Sequence, residues 1–192
     1  RDAAGQRHLK SVVAGGKRWD ADAFVFATGV ETSRLLRGAL RIPISPVAGY
    51  TMTAKITDPT KTPRHAVIDH SSKLAIARFG DRIRVAGFAE WGRIPTALSR
   101  ERCEQLAAGY ERLYPGSADL KSAQYWRGVR PMTPDGTPIV GKSDIDGLYI
   151  NAGHGTYGWT MACGSAQLLA DVIAARTPAL DPTQYDLLRY QR

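Results

Sequence analysis

Leu148-Tyr149-Ile150-Asn151-Ala152-Gly153-His154-Gly155-Thr156-Tyr157-Gly158-Trp159-Thr160 is the stretch on which the fold of this chain turns. A short apolar run ends in a glycine-rich turn, and a helical pattern then runs from about Gly158 to about Arg176, before Pro178. Gly153, Gly155 and Gly158 match GxGxxG, the fingerprint of a dinucleotide-binding unit. That unit needs a second parallel strand after the helix, with an acidic residue about twenty positions on to hold a ribose. Residues 177–192, with Pro178 and Pro182 among them, cannot complete it. What remains is the physics of a glycine turn at a helix N-terminus. Small residues let a flat or anionic ligand approach the backbone, and unpaired N–H groups favour negative charge there. A tight strand-to-helix turn without a ligand is the competing reading.

Moving outward, residues 23–27 (Ala23, Phe24, Val25, Phe26, Ala27) read as a buried strand. It runs into Thr28-Gly29, and residues 31–40 carry Leu35, Leu36 and Leu40 at helical spacing until Pro43. Upstream, residues 9–14 and 17–22 flank Gly15-Gly16 as a hairpin. Residues 47–91 switch to β-branched and aromatic alternation, predicting antiparallel strands over 50–56, 66–69, 74–79 and 83–90. Ser99 caps a helix with Cys103, Leu106, Ala107, Tyr110 and Leu113 on one face. A short strand over 123–129 and a Pro- and Gly-rich loop over 131–141 follow. The fold class expected is α+β. An antiparallel-sheet domain for substrate, residues 47–130, interrupts pieces of an α/β, Rossmann-like domain in residues 1–46 and 131–192.

The 192 residues are 43% hydrophobic and 23% charged, enough for an ordinary core. No run of about eighteen apolar residues occurs and the first ten residues are polar, so the sequence reads as soluble, with the cytoplasm as default compartment. Cys103 and Cys163 lack ligand or disulfide-framework spacing, and no metal is expected. The net charge of +8 is concentrated: residues 1–100 hold 17 Lys/Arg against 8 Asp/Glu, residues 101–192 hold 9 against 10. The basic residues are scattered singly rather than clustered along a helix or interleaved with aromatics, which argues against nucleic-acid binding. A solvated basic face suffices, and peripheral attraction to the anionic inner face of a bacterial membrane is compatible with it. A non-catalytic module holding an acidic partner is the alternative from another class.

Gly128-Val129-Arg130-Pro131-Met132-Thr133-Pro134-Asp135-Gly136-Thr137-Pro138-Ile139-Val140-Gly141, followed by residues 148–155 and Gly158-Trp159-Thr160, resembles the C-terminal signature of the FAD-dependent D-amino-acid oxidase superfamily. Within it, the stretch is most similar to bacterial D-amino-acid dehydrogenase small subunits. Residues 22–29 resemble that family's late FAD-domain strand, and Pro46-Val47-Ala48-Gly49-Tyr50 the entry to its substrate domain. The resemblance implies oxidative deamination of D-amino acids to 2-oxo acids and ammonia, with non-covalent FAD and a quinone-linked or other electron-transfer acceptor. A glycine- or sarcosine-type amine oxidase is the close alternative. The family's own pyrophosphate-binding GxGxxG lies in an N-terminal region that this sequence does not hold. The N-terminal half of the FAD-binding domain is therefore expected from elsewhere, in cis or in trans.

Residue by residue, the resemblance sets Arg130 beside the substrate carboxylate, where a guanidinium can take two oxygens at once. The plainer reading of Arg130 is a strand arginine bridging to a surface carboxylate. Gly153, Gly155, Thr156, Tyr157, Gly158, Trp159 and Thr160 match positions around the flavin ring, with Thr160 a donor to its C2 carbonyl edge. Thr28 and Gly29 match a turn touching the FAD phosphates or ribose. Some relatives carry a second arginine where Thr156 stands. Tyr50 is a candidate for that second carboxylate contact or a strand aromatic, and His154 either lines the pocket or ties its loop down. Relatives with covalent FAD use a Cys just after the arginine, where this chain has Met132-Thr133-Pro134; Cys163 is expected to be a small core residue of the helix.

Overall fold

The structure, a computed structural model, describes residues 5–92 and 97–190. In chain order the elements are β1 (Ser11–Ala14), β2 (Lys17–Asp20), β3 (Phe24–Phe26), α1 (Glu31–Leu35), β4 (Ser45–Ile56), β5 (Val67–Asp69), β6 (Leu74–Phe79) and β7 (Arg82–Trp91). Then come α2 (Arg100–Leu113), β8 (Ala118–Met132), β9 (Ile139–Lys142), β10 (Leu148–Ala152) and α3 (Gly158–Ile173), with 3-10 turns at Pro59–Lys61, Pro182–Gln184 and Leu187–Tyr190. The chain divides into two compact units, one of Arg1–Ser45 with Arg130–Arg192, the other of Pro46–Val129.

The continuous unit is a five-stranded sheet in the order β5-β6-β7-β4-β8. Period-two alternation puts Tyr50, Met52, Ala54 and Ile56 of β4 on one face with Ile83 and Val85 of β7, and these pack with Leu106 and Tyr110 of α2. Ser99 caps α2 by accepting from the Arg102 N–H at 3.3 Å. The β4–β7 register shifts between Ala48 and Tyr50, where β7 has one extra residue, and Phe88 in this bulge has φ +68°. The Arg102 guanidinium lies 4.9 Å from the centre of the Phe88 ring, and the Tyr50 ring meets that ring edge-on at 5.9 Å. β8 is far longer than the expected 123–129. Its first residues, including Asp119, Lys121 and Ser122, are polar and mask the strand signal, which an edge strand tolerates because half its surroundings are water.

In the discontinuous unit β10 pairs in parallel with β3 and antiparallel with β9, while β1 and β2 form the hairpin around Gly15 and Gly16. Leu148, Ile150 and Ala152 join Leu36, Leu40, Ile42 and Ile44 in one core; Val140 packs with Leu168 and Leu169 of α3 in another. Four local expectations need correcting. Strand β9 lies inside the span read as loop, because its apolar run is short and flanked by Pro and Gly. Helix α1 stops at Leu35 and the chain turns at Gly38 (φ +88°), although Leu36 and Leu40 remain buried. β3 is not a buried strand: it is the edge of its sheet, and Val25 is 46% exposed. Cys163 is exposed rather than in the core.

α3 buries Leu168 and Leu169, with Met161, Ser165 and Val172 half-buried on the same side. On the opposite side Trp159, Ala162, Cys163, Ala166, Ala170 and Ile173 recur at helical spacing and are exposed. A helix apolar on both sides is a helix built to be covered on both sides, and no described residue covers the second. No helix among the described residues is long and apolar enough to cross a membrane.

Candidate functional site

Two parallel strands, β3 and β10, each run into a glycine turn that opens a helix. Their parallel register pairs Leu148 with Phe24 and Ile150 with Phe26, so both turns follow at the same end of the sheet. Ligands of open α/β sheets bind beyond the carboxyl ends of such strands. The sequence motifs at 28–29 and 153–160 thus meet at one end of one sheet. At the first turn, Gly29 has φ +58°, the Thr28 carbonyl accepts from the Glu31 N–H at 3.1 Å, and the Thr28 and Thr32 hydroxyls are 2.9 Å apart.

The second turn requires its glycines. Gly153 has φ +83°, and a Cβ there would stand 2.6 Å from Thr133 Cγ2. Gly155 has φ +56°, with Met132 Sδ 3.0 Å from the corresponding point. Gly158 is in turn backed by His154 Cβ at 3.3 Å. Tyr157 begins α3 with no side-chain cap, and the first turn contains no acidic residue. The opening N–H groups of a long helix are therefore left facing outward, where they favour a negative group. Thr156, Tyr157, Trp159 and Thr160 are exposed, Trp159 at 96%. Thr160 also borders a groove of about 170 Å³ with Pro138, Val140, Gly164, Leu168 and Tyr185.

Arg130 lies near the end of β8, and that end is tied to the glycine turn. The Gly155 N–H donates to the Pro131 carbonyl at 3.0 Å, and Met132 forms an isolated antiparallel bridge with His154. The strand end that carries Arg130 and the turn expected to face the flavin are thus joined by direct backbone bonds. His154 Nε2 and Asn151 Oδ1 are buried without a hydrogen-bond partner among the described residues. Burial pushes the His154 imidazole below its ordinary pKa, toward the neutral form.

Tyr50 belongs to the continuous unit, Pro46–Val129. It is 1% exposed, in the core beneath α2, and its hydroxyl donates to Glu90 at 3.1 Å while Arg102 Nε donates to the same carboxylate at 2.6 Å. Within that unit its ring packs against Phe88 and its hydroxyl is bonded to Glu90. His65 and His70 are exposed. Among the described residues no group of His, Cys, Asp or Glu could hold a metal.

Sequence reasoning missed the support beneath the loop that follows Arg130. Asp135 accepts from the Thr137 N–H at 3.0 Å, from Arg189 Nε at 2.9 Å and from the Tyr190 hydroxyl. Burial alone would raise the Asp135 carboxyl, but these donors outweigh it and hold the group well below the usual carboxylate range. The Thr-Pro-Asp-Gly run signals a turn; nothing local signals that Arg189 reaches it. Trp126 was also passed over. Its indole lies over Gly128, where a Cβ would stand 2.3 Å from the ring, and it is 64% exposed.

Comparison with known proteins follows the same lines. The family model for FAD dependent oxidoreductases (DAO) matches residues 2–172. The chain belongs to this family. A D-amino acid dehydrogenase of Xanthobacter autotrophicus is 46% identical over 179 residues, covering 93% of this chain and 42% of that protein. Among solved structures, glycine oxidase from Geobacillus kaustophilus superposes with a TM-score of 0.79 at 26% identity, over 91% of this chain and 47% of that one. L-amino acid deaminase from Proteus vulgaris, at 17% identity and a TM-score of 0.80 over 98% of this chain and 56% of that one, shares the fold. The chain spans less than half the length of the dehydrogenase and the oxidase. The residues of this turn are compatible with a flavin: the helix start carries no side-chain cap and no acidic residue, which suits an electron-rich edge, and Thr156, Tyr157, Trp159 and Thr160 beside it are exposed.

Proposed function

We propose that this chain is the C-terminal part of an FAD-dependent D-amino-acid dehydrogenase, carrying the substrate-binding arginine and the turn that faces the flavin ring. The observation that carries the reading is the Gly155 N–H to Pro131 carbonyl bond, which joins the residue after Arg130 to the glycine turn. The 46% identity to a D-amino acid dehydrogenase favours that substrate class over glycine, whose oxidase is 26% identical.

In this reading Arg130 pairs with both carboxylate oxygens of the amino acid and so fixes the direction of its Cα–H bond. Bound against residues 153–160, FAD would supply the two-electron acceptor. Loss of hydride from Cα and of a proton from the amine leaves an imine, which water hydrolyses to the 2-oxo acid and ammonia, so no side-chain nucleophile is needed. The opening N–H groups of α3 and the Thr160 hydroxyl would stabilise negative charge on the flavin held there. His154, held neutral, adds no second cation there. The cofactor is held non-covalently, since Met132-Thr133-Pro134 offers no thiol after Arg130. Thr28 and Gly29 would touch the phosphates or ribose of FAD, whose main pyrophosphate-binding turn and ribose carboxylate would come from a further region, in cis or in trans; the uncovered stripe of α3 and the open edge of β3 support a further layer there. Electrons pass on to a quinone-linked acceptor.

The test is Arg130→Met in the FAD-loaded enzyme, assayed with D-amino acids, glycine and sarcosine, using both a quinone-like dye and oxygen as acceptors. Losing the charged partner of a desolvated carboxylate costs about 2–5 kcal/mol, so KM for D-amino acids should rise by about 30-fold or more. An unchanged KM, or turnover of glycine and sarcosine without D-amino acids, would refute the reading.

A further inference from the structure

We propose that Arg189 is a positioning residue for the substrate and flavin site, acting from the C-terminal segment through Asp135 and Thr137 on Thr133 and the Gly153 turn. The inference rests on the site reading above. It concerns a residue beyond the 2–172 span that the family model matches.

The Arg189 side chain is only 17% exposed, and each of its three nitrogens makes at least one hydrogen bond. Nε and Nη2 reach the two carboxylate oxygens of Asp135 at 2.9 and 3.4 Å, Nη2 also meets the Thr137 carbonyl at 2.7 Å, and Nη1 meets the Asp186 carbonyl at 2.9 Å. The guanidinium lies 4.3 Å from the centre of the Tyr190 ring, whose hydroxyl donates to Asp135. Behind this segment, Leu187 is buried in the core with Ile139 and Ile150, which anchors the clamp to the sheet. A flexible tail would not be built this way.

The far side of the clamped loop is the wall of the site. The Thr133 hydroxyl donates to the Thr137 carbonyl at 2.9 Å, the same oxygen that Arg189 holds. Its methyl group fills the space beside Gly153, leaving no room for even one further carbon. Thr133 directly follows Met132, which bridges to His154 and lies against Gly155. Releasing Thr137 therefore releases Thr133, and Thr133 shares its backbone with the strand end that holds both Arg130 and the turn. Packed cores transmit such displacements because they contain few voids, and a shift of about 1 Å at a reacting centre costs on the order of 100-fold in rate.

The test compares Arg189→Ala, Arg189→Lys and the isosteric Asp135→Asn. In the flavin-free protein, amide hydrogen exchange at Gly155 reads the turn directly; exchange should quicken at least about 10-fold in Arg189→Ala and Asp135→Asn. In the FAD-loaded enzyme, kcat/KM for D-alanine per mole of bound flavin should fall about 10- to 100-fold in Arg189→Ala. Arg189→Lys, which keeps the charge and loses the fork, should fall in between. Unchanged Gly155 exchange together with unchanged kinetics per bound flavin, accompanied only by lower thermal stability, would overturn the proposal. If Arg189→Ala does not fold, Asp135→Asn decides by the same criteria. A failure of the substrate reading shows up separately, as an unchanged KM in Arg130→Met, and leaves the exchange result standing.

Discussion

Gly153→Ala adds one carbon at the centre of the site, and two independent costs can be worked out for it. At φ +83° an L-residue brings its Cβ too close to the following carbonyl, about 1–2 kcal/mol. The new methyl would also stand 2.6 Å from Thr133 Cγ2, with Ile44 Cδ1 at 3.5 Å behind it, and forcing extra carbon into such a site costs about 1–3 kcal/mol. The sum is about 2–5 kcal/mol, a large share of the roughly 5–15 kcal/mol that keeps a domain folded. Urea unfolding of the 192-residue chain, followed by far-UV circular dichroism, measures it. The two costs separate in the double variant Gly153→Ala/Thr133→Ser. Removing the threonine methyl while keeping its hydroxyl bond to Thr137 should restore the packing part and leave the backbone part. A loss under about 0.5 kcal/mol in Gly153→Ala, the range of an ordinary surface change, would refute the reasoning, as would a double variant no more stable than the single.

Gly164→Ala in the same chain should do the opposite: it lies in the middle of α3 with nothing within 4 Å of its Cβ position, so unfolding should need about 0.8–1 kcal/mol more, read from the same urea curves. Asp135 should give the chain an acid-sensitive step. Its carboxyl is held below the ordinary value, so its contribution is complete above about pH 4 and is lost as pH falls through the folded-state value; a urea midpoint that does not drop between pH 5 and about pH 2 any further in wild type than in Asp135→Asn would count against the clamp's charge. For His154, whose pKa burial pushes below the ordinary 6.5, the unfolded chain takes up the proton first, so stability is full above that pH and falls as pH drops below it. Its ring proton resonances should stay flat from pH 8 down to about 6.5, and a midpoint at or above 6.5 would show the imidazole to be solvated.

How much of this was legible in the sequence follows from how local each signal is. The alternation of Tyr50, Met52, Ala54 and Ile56, the cap at Ser99 and the glycines at 153, 155 and 158 are encoded within a few residues, and the structure contains the sheet, helix and turn they imply. Short or polar elements were lost: β9 has four residues between Pro138 and Ser143, and the first half of β8 is too hydrophilic to read as strand. Tyr50 shows the limit for sites. An aromatic on a strand at a domain entry has two faces open to it, and only the position of α2, fixed by Leu106 and Tyr110 some fifty residues on, decides that it points into the core. Arg189 is the same problem at greater separation, since its partner Asp135 is 54 residues away.

Helix α3 joins the legible and the illegible parts. Its residues are apolar nearly all round, a pattern that leads sequence reasoning to put Cys163 in a core. Among the described residues only the Leu168 side meets a core, and the stripe from Trp159 to Ile173 is exposed, with Cys163 in it. Apolar residues at helical spacing on a soluble surface stand for area that burial would stabilise at roughly 25 cal/mol per Å², and an edge strand that pairs in parallel with its one neighbour offers unpaired N–H and C=O groups beside it. Both features lie in the same unit as the turn that would face the flavin ring. The further FAD-binding layer proposed above would cover both, closing the apolar stripe and bringing further backbone to the end of the sheet beyond Phe26 and Ile150. Cys163 offers a direct reading of it, because a thiol reagent should label this cysteine readily in the 192-residue chain and slowly once that cover is in place.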